Sequence, residues 1–303
     1  CGYVISKVPL YSYVPTTRLA KADGILIQYE SKVIESVGLV KMDLLGLRTL
    51  QIIDRTIKQI QEHDGVLIDV DNLPMEDPKT LDLFGNAETK EVFQFESDGM
   101  RNYLKALKPS GIEDLVAMNA LYRPGPLAQI PTYIKRKLGQ EPVAYDIPEM
   151  EAILKPTYGV TVYQEQVMRL SRLLAGFTPG QADKLRKAIG KKQEDVMEEM
   201  KGKFIKGAVA KGHPEQVLVK IWDEWKEFAK YAFNRSHSAC YAYVAYQSGY
   251  LKAHYPCEYV ASCLQAETES KKLQVLGKEC VRMGITILQP DINRAKAEFS
   301  VED

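Results

Sequence analysis

The sequence has few cysteines, no long apolar run and no excess of charge of either sign. Its 303 residues include 5 cysteines, an odd number with no Cys-x-x-Cys pair. This pattern argues against a disulfide framework or a zinc motif, and we expect reduced thiols in a cytoplasmic protein. No apolar stretch is long enough to span a membrane, and we expect neither a signal peptide nor a membrane partner.

The charges balance, because 40 Lys and Arg residues stand against 40 Asp and Glu residues. A net charge of zero excludes a general attraction to nucleic acid, so binding of that kind would require local basic patches. The sequence also lacks a repeat of fixed period, a low-complexity tract and a heptad pattern. Its composition, 45% hydrophobic and 26% charged, is that of a globular chain with one large domain or two.

The pattern of apolar residues predicts an α+β chain, in which short strands come first and helices follow. Strands are expected within 1–10, 25–29 and 38–43. A helix over 47–63 would place Leu47, Leu50, Ile53 or Ile57, and Ile60 on one apolar face. The first part of the chain therefore has the pattern of the last piece of a sheet-containing domain.

From about residue 78 onward, glycines and prolines separate a succession of predicted helices. Ser110 and Glu113 have the spacing of a capping box, which predicts a helix from there to Tyr122. The prolines of segment 123–126 end that helix. Later helices are expected over 127–138, 147–154, 162–175, 179–190, 194–211, 214–230 and 237–254, with two more in 257–283. The residues ITIL, 285–288, suggest a final strand, and both ends of the chain are expected to be cut from something longer.

The predicted helix over 179–190 is strongly basic. Thr178 and Pro179 suit its start, as an N-cap hydroxyl and a favoured first residue. The basic side chains of its second half are Lys184, Arg186, Lys187, Lys191 and Lys192. Several of them share one face, and a bound anion would relieve their mutual repulsion. The alternative is a basic face that is only solvated.

A second polar stretch begins at the predicted start of the helix over 237–254. Asn234, Arg235 and His237 lie where free backbone N–H groups and the helix dipole favour an anion. Tyr241 is one helical turn beyond His237 and shares its face. Cationic and amide donors beside flat rings suit a nucleotide. The other tyrosines of this stretch are interpreted as packing residues with solvated hydroxyls.

Asp43 ends a predicted strand and is followed by a glycine-containing turn and a helix. Acids in this position are common metal ligands. An acid just before a helix also stabilises the helix dipole, so this residue alone does not decide between the two roles.

Six segments together resemble the bacterial replicative DNA polymerase III alpha subunit, a C-family DNA polymerase, and they occur in that family's order. They are VKMDLLGLRTL (40–50), FQFESDGMRNYLKALKP (93–109), NALYRPGP (119–126), YGVTVYQEQVM (158–168), LRKAIGKK (185–192) and FNRSHSACYAY (233–243). The LLGL after the aspartate is similar to the branch typified by the Gram-negative replicase. One departure is Lys187, where the family usually has arginine, since lysine keeps the charge but loses the bidentate fork.

The resemblance implies a fold and a catalytic metal site. Residues 1–48 would be the last part of a palm of the nucleotidyltransferase, polymerase beta-like type. Residues 49–303 would be helical fingers, truncated before the helix-hairpin-helix and clamp-binding regions. In such enzymes three aspartates hold two Mg²⁺ ions, and Asp43 matches the third. The other two are expected before the start of this chain, so the chain alone is expected to be inactive.

The resemblance also implies roles for the basic and aromatic residues. Lys41, close to Asp43 across the strand, would act with Arg186 and Lys187 on the triphosphate. The nucleotide and template pocket would contain Asn234, Arg235, His237 and Tyr241. Tyr241 would lie against the sugar and select deoxyribose, and Arg123 would contact backbone or nucleotide.

The implied partners are primer-template DNA and deoxynucleoside triphosphates. For the longer protein they include a sliding clamp, a proofreading exonuclease subunit and a clamp-loader subunit. A non-catalytic helical module that binds nucleic acid remains the main alternative. Another nucleotidyltransferase with the same palm type is a weaker one, because the fingers motifs argue against it.

Overall fold

The computed structural model describes residues 2–18, 24–44, 46–191 and 193–302. The chain divides into two compact units, residues 1–48 and residues 49–303. Strands lie in the first unit and long helices in the second, which confirms the α+β prediction. No helix in the described ranges has both the length and the apolar character needed to cross a membrane.

The smaller unit is made of short strands and one short helix. Its described elements are β1 (Gly2–Ile5), β2 (Thr16–Arg18), β3 (Ile25–Ile27), α1 (Ser31–Ile34) and β4 (Val40–Asp43). β1 pairs antiparallel with β4, which sets Gly2 opposite Asp43, and β2 pairs antiparallel with β3. Its buried cluster is small and includes Val14, Ile34 and Leu39. β2 escaped prediction because a run of Thr-Thr-Arg has no apolar alternation.

The larger unit is helical through most of its described length. Its helices are α2 (Arg48–Asp64), α3 (Pro78–Gly85), α4 (Asp98–Leu107), α5 (Ile112–Leu121), α6 (Ile130–Lys137), α7 (Glu151–Leu154), α8 (Gln164–Ala175), α9 (Pro179–Lys191), α10 (Glu194–Val209), α11 (Glu215–Ala229), α12 (Arg235–His254), α13 (Pro256–Ala266) and α14 (Ser270–Met283). Short 3₁₀ segments lie at Val70–Asn72, Pro126–Gln129, Pro148–Met150 and Lys155–Thr157.

Three groups of buried side chains hold the larger unit together. The first joins α3 to α6 with α12 and includes Phe84 and Tyr246. The second joins α7 to α11 around Phe204 and Trp222. The third joins α2, α13 and α14 around Tyr259. Burial of apolar surface on this scale is the main source of stability for such a domain.

Helix α12 runs through the first of these groups and is buried on several faces. A Cβ added at Gly249 would lie 2.7 Å from the Phe84 ring, so this close crossing requires glycine. The Tyr246 hydroxyl was predicted to be solvated, and this prediction is wrong. The hydroxyl donates to the Pro74 carbonyl at 2.6 Å. A phenol inside a packed core needs such a partner, because an unsatisfied hydroxyl there is costly.

The predicted capping box at Ser110 and Glu113 is wrong. Gly111 precedes α5, and the acid that reaches back is Asp114, which accepts the Ser110 backbone N–H at 2.8 Å. Asp114 is buried and also receives the Lys137 ammonium at 2.7 Å. The charged partner explains the choice of Asp114, since a buried carboxylate must be paired.

Two smaller predictions also fail. Leu50 does not share the buried face of α2, because its side chain points outward while Ile52, Ile53 and Ile60 are buried. The residues 285–288 form no strand, and Ile287 and Leu288 stay exposed. An apolar run becomes a strand only where a partner strand can pair with it.

Candidate functional site

Asp43 and Lys41 lie together on β4 in the smaller unit. The Lys41 ammonium donates to the Asp43 carboxylate at 2.9 Å, and both side chains reach solvent. The two residues are two apart on one strand, so they share a face of the sheet. A Cβ added at Gly2, opposite, would lie 2.8 Å from the Asp43 Oδ1. The close atoms are the ends of the exposed Asp43 and Lys41 side chains, so a larger residue at position 2 would require these side chains to move.

In the larger unit, helix α12 begins at Arg235, two residues before the predicted start, and has a side-chain cap. Asn234 precedes the helix, and its Oδ1 accepts the His237 backbone N–H at 2.9 Å. One turn further, Ser238 is fully buried and donates to the Val116 carbonyl of α5 at 2.6 Å. The start of α12 is thus fixed against α5 and presents Arg235 and His237 outward.

Two carboxylates already lie against the donors at this helix start. Glu165 of α8 accepts the Arg235 backbone N–H at 3.0 Å and the Asn234 side-chain amide at 2.8 Å. Glu113 of α5 accepts the Arg235 guanidinium at 2.7 Å, and this hydrogen bond is the main reason that the pKa of Arg235 is raised. Both pairs are exposed, and exposed pairs are weak enough for a phosphate to replace them.

A row of flat side chains runs beside the start of α12. Its rings are those of Phe93, Tyr241, His237 and Phe233, with successive centroids 5.2, 4.3 and 5.4 Å apart. His237 is exposed and the other three rings are partly buried. Aromatic faces of this kind stack on nucleobases, each for about 1–3 kcal/mol.

Arg123 continues the row at its Phe233 end. Its guanidinium carbon lies 4.1 Å from the centroid of that ring. The same guanidinium donates to the carbonyls of Ala120 at 3.0 Å and Tyr231 at 2.8 Å, and burial lowers the pKa of Arg123. Arg123 therefore holds the turn after α5 against the segment that leads into α12. Its predicted role as a backbone or nucleotide contact is a proposal beyond these bonds.

The loop between α3 and α4 brings Phe93 to Tyr241. Three of its residues have left-handed backbone conformations although none is glycine: Ala87, Glu91 and Gln94. Each such residue costs of order 1–3 kcal/mol and persists only where its surroundings hold it in place. The burial of Val92 and Phe95, on either side of Phe93, supplies part of that hold.

Lys252, near the end of α12, also holds the loop between α3 and α4 in place. Its ammonium is buried and donates to the backbone carbonyls of Glu88 at 2.9 Å and Lys90 at 2.7 Å. It also donates to the Glu279 carboxylate at 2.7 Å. Burial alone would raise the pKa of Glu279, but hydrogen bonds from Arg282 and Lys252 bring it to about 2. The far end of α12 thus anchors the loop whose Phe93 contacts the near end.

The basic helix α9 has the start that its sequence predicts. The Thr178 hydroxyl accepts the Gln181 backbone N–H at 3.2 Å, and the Gln181 side chain accepts the Thr178 backbone N–H at 2.8 Å. This reciprocal pair is a capping box. Lys191 is the last residue of α9, and Lys192 lies outside the described residues.

Three cations of α9, Lys184, Arg186 and Lys187, are paired with acids on the protein surface. Arg186 and Lys187 share the carboxylate of Asp183, at 2.9 and 2.8 Å. Lys184 pairs with Glu199 of α10 at 2.9 Å. Asp183 stands just before the acid-free run, so the repulsion expected among these cations is already relieved within the chain.

The end of α9 and the start of α12 both lie beside the start of α8. A Cβ added at Gly190 would lie 3.8 Å from the Gln164 Nε2. The Gln164 backbone N–H donates to the Phe233 carbonyl at 2.9 Å. The larger unit therefore brings the two predicted phosphate-binding stretches to one region of its surface, whereas Lys41 and Asp43 belong to the smaller unit.

Sequence reasoning missed several members of this region. The carboxylate of Glu165 and the rings of Phe93 and Phe233 were not singled out, and Glu113 was assigned only to a capping box. Phe93, Glu165 and Phe233 lie inside the segments FQFES, YQEQVM and FNRSH, so membership of those motifs was the available signal for them. Their contacts with Tyr241 and Arg235 span long distances in sequence and follow only from the fold.

Comparison with known proteins identifies the class as bacterial DNA polymerase subunits. Residues 49–212 match the bacterial DNA polymerase III alpha subunit finger domain, and residues 1–46 match the bacterial DNA polymerase III alpha NTPase domain. The chain therefore belongs to the bacterial DNA polymerase III alpha subunit family, as its six motifs predicted.

Relatives that are similar over the whole of this chain are named DNA polymerase III subunit alpha. The chain is 49% identical to DNA polymerase III subunit alpha of Aquifex aeolicus, with 99% of the chain covered, and 45% identical to that of Borreliella burgdorferi, with 100% covered. It is 44% identical to that of Thermus aquaticus over 99% of its length. The chain spans about a quarter of these relatives, 26%, 26% and 25%.

Proposed function

We propose that this chain is the part of a template-directed DNA polymerase that supplies one catalytic carboxylate and the nucleotide-binding surface of the fingers. The observation that supports this most is the row of rings at the start of α12, flanked by cationic donors, in a chain of this family. The substrates would be primer-template DNA and deoxynucleoside triphosphates, and the product a primer longer by one nucleotide.

The larger unit would bind the incoming nucleotide in two parts. The rings of His237 and Tyr241 would lie against base and sugar, since His237 is the exposed ring of the row and Tyr241 lies beside it, 4.3 Å away. Arg235 and the backbone N–H groups of α12 would bind phosphate oxygens in place of Glu165 and Glu113. Arg186 and Lys187 of α9 would offset further negative charge on the triphosphate.

Asp43 fits the role of a metal ligand but is insufficient alone. Its carboxylate is exposed, and carboxylate oxygen is the donor that Mg²⁺ prefers. Lys41 orients this carboxylate and offers a cation to the phosphates. Two ions need more than one carboxylate, and the remaining ligands would come from the longer protein. When bound, Mg²⁺ would lower the pKa of the primer 3′-hydroxyl and offset charge on the leaving pyrophosphate.

The test is primer extension by the longer protein carrying Asp43→Asn. We expect extension to fall by at least about a hundredfold, because loss of a charged ligand removes transition-state stabilisation. Thermal unfolding should be unchanged, since the side chain is exposed. Asp54→Asn is the matched control, because Asp54 is also exposed and also paired with a lysine, Lys58, at 2.8 Å.

The same primer-extension assay is then carried out with the 303-residue chain alone. We expect it to extend no primer, whereas it should still bind primer-template DNA. Extension that survives Asp43→Asn would overturn the proposed function and favour a non-catalytic module that binds nucleic acid. The sliding clamp, the exonuclease subunit and the clamp-loader subunit would be partners of the longer protein.

A further inference from the structure

The larger unit also contains a cluster of three side chains that can ligate a metal ion, and none of them belongs to the row of rings. The cluster consists of His63 and Asp64 at the end of α2 and Glu258 in the first turn of α13. The His63 Nδ1 lies 2.9 Å from the Asp64 Oδ1 and 3.3 Å from the Glu258 Oε1. One ligand atom from each of the three residues lies within 4.8 Å of the other two.

From these residues we propose a binding site for a divalent transition metal, with zinc as its probe. Ligand atoms around a tetrahedral zinc at 2.0–2.1 Å stand about 3.3 Å from one another. The separations of 2.9 and 3.3 Å are already close to that value, so small side-chain rotations would admit the ion. Water would complete the coordination, because the His63 and Asp64 side chains reach solvent.

The charges of the cluster favour a cation. The Glu258 side chain is only 7% exposed, and a buried carboxylate needs a positive partner. Asp64 is the last residue of α2, where the helix dipole disfavours negative charge. A divalent ion bound here would therefore offset both the burial of the Glu258 carboxylate and the unfavourable position of Asp64 at the end of α2.

The donor set separates this site from the catalytic one. Imidazole suits zinc and its neighbours in the first transition series, whereas Mg²⁺ prefers oxygen ligands alone. The metal would join α2 to α13, which share a buried cluster that includes Ile60 and Tyr259. It would stabilise the fold at the edge of that cluster, and no step of the polymerase reaction depends on it.

The test is a zinc titration of the 303-residue chain by calorimetry, with excess Mg²⁺ present throughout. We expect one zinc per chain, a higher melting temperature with zinc, and a visible absorption band typical of tetrahedral geometry when Co²⁺ is used instead. Asp64→Asn and His63→Asn should each weaken zinc binding at least about tenfold. Asp64→Asn is the cleaner variant, because this exposed helix-end acid can be neutralised without loss of packing.

His213→Asn is the matched control, since His213 stands between α10 and α11 and is not one of the three ligand residues. It should bind zinc like the unaltered chain. Absence of a stoichiometric zinc site would overturn the proposal, and so would binding that survives both Asp64→Asn and His63→Asn.

Discussion

Helices α9 and α12 are the two polar stretches that stand out in the sequence, yet their surroundings differ. Lys184, Arg186 and Lys187 of α9 lie on the surface and pair with acids of α9 and α10. Helix α12 instead passes through the first buried group, with Ser238 and Lys252 both buried. Its exposed part is confined to the first turns, where rings and cations meet.

This difference indicates two kinds of ligand contact. Exposed charges such as those of α9 can follow a phosphate backbone, but salt screens them. The start of α12 is held on several sides by α5, α8 and the Phe93 loop, so its rings and donors keep fixed positions. A nucleotide whose sugar and base must be read needs that fixed arrangement.

The largest expected effect concerns the buried anchor of α12. Glu279→Gln should lower the free energy of unfolding by about 3–5 kcal/mol, because it removes the charge paired with the buried Lys252. Urea unfolding of the 303-residue chain measures this. Glu199→Gln is the matched change beside α9, where the carboxylate is exposed, and it should alter stability little. Equal effects of the two substitutions would abolish the contrast between the helices.

The same pair predicts a pH dependence. The folded-state pKa of Glu279, about 2, is below its unfolded value near 4.5. Its contribution to stability is therefore complete above about pH 4.5 and is lost as the pH falls through about 2. Glu279→Gln should flatten the acid limb of the stability curve, whereas unchanged acid sensitivity would show that this carboxylate is not the group responsible.

The next effect concerns sugar choice at the start of α12. In the longer protein, Tyr241→Ala should shift kcat/KM by about tenfold in favour of ribonucleotides, because a bulky ring would no longer exclude the 2′-hydroxyl. Tyr243→Ala is the control, since the Tyr243 hydroxyl bonds the Asp71 carbonyl away from the row. If both nucleotide types lose the same factor, Tyr241 contributes to binding and not to selection.

The smallest effect concerns α9. Lys187→Ala should weaken primer-template binding at low salt and reduce the slope of log K against log salt by about one. The defect should fade at high salt, because Lys187 is exposed. Fluorescence anisotropy over a salt series measures the change in binding. Lys230→Ala is the control, since Lys230, like Lys187, is an exposed lysine paired with a carboxylate. A defect that persists at high salt would make α9 a fixed site like α12.

Much of the helical order was predictable from sequence, because glycines, prolines and caps act locally. Thr178 is an example: it was predicted to cap α9, and its hydroxyl accepts the Gln181 backbone N–H. What could not be predicted is the pairing of distant side chains. Glu165 bonds Arg235 across 70 positions of sequence. Asp114, and not Glu113, accepts the Ser110 backbone N–H, and its charged partner Lys137 is also distant in sequence.

The candidate site shows the same limit. Asn234, His237 and Tyr241 could be grouped from spacing along one helix, since residues one turn apart share a face. Phe93 joins them only through a loop with left-handed residues, which is held by the buried Lys252. No local pattern records that a lysine far along α12 supports a ring at its start.

Photocrosslinking tests most directly whether the start of α12 is the nucleotide surface. The longer protein would be bound to primer-template DNA and a deoxynucleoside triphosphate with a photoreactive base, and the crosslinked peptide identified by mass spectrometry. Crosslinks are predicted at Phe93, Phe233, His237 or Tyr241, and they should disappear with excess unmodified nucleotide. Specific crosslinks confined to α9 or to helices far from this row would contradict the account.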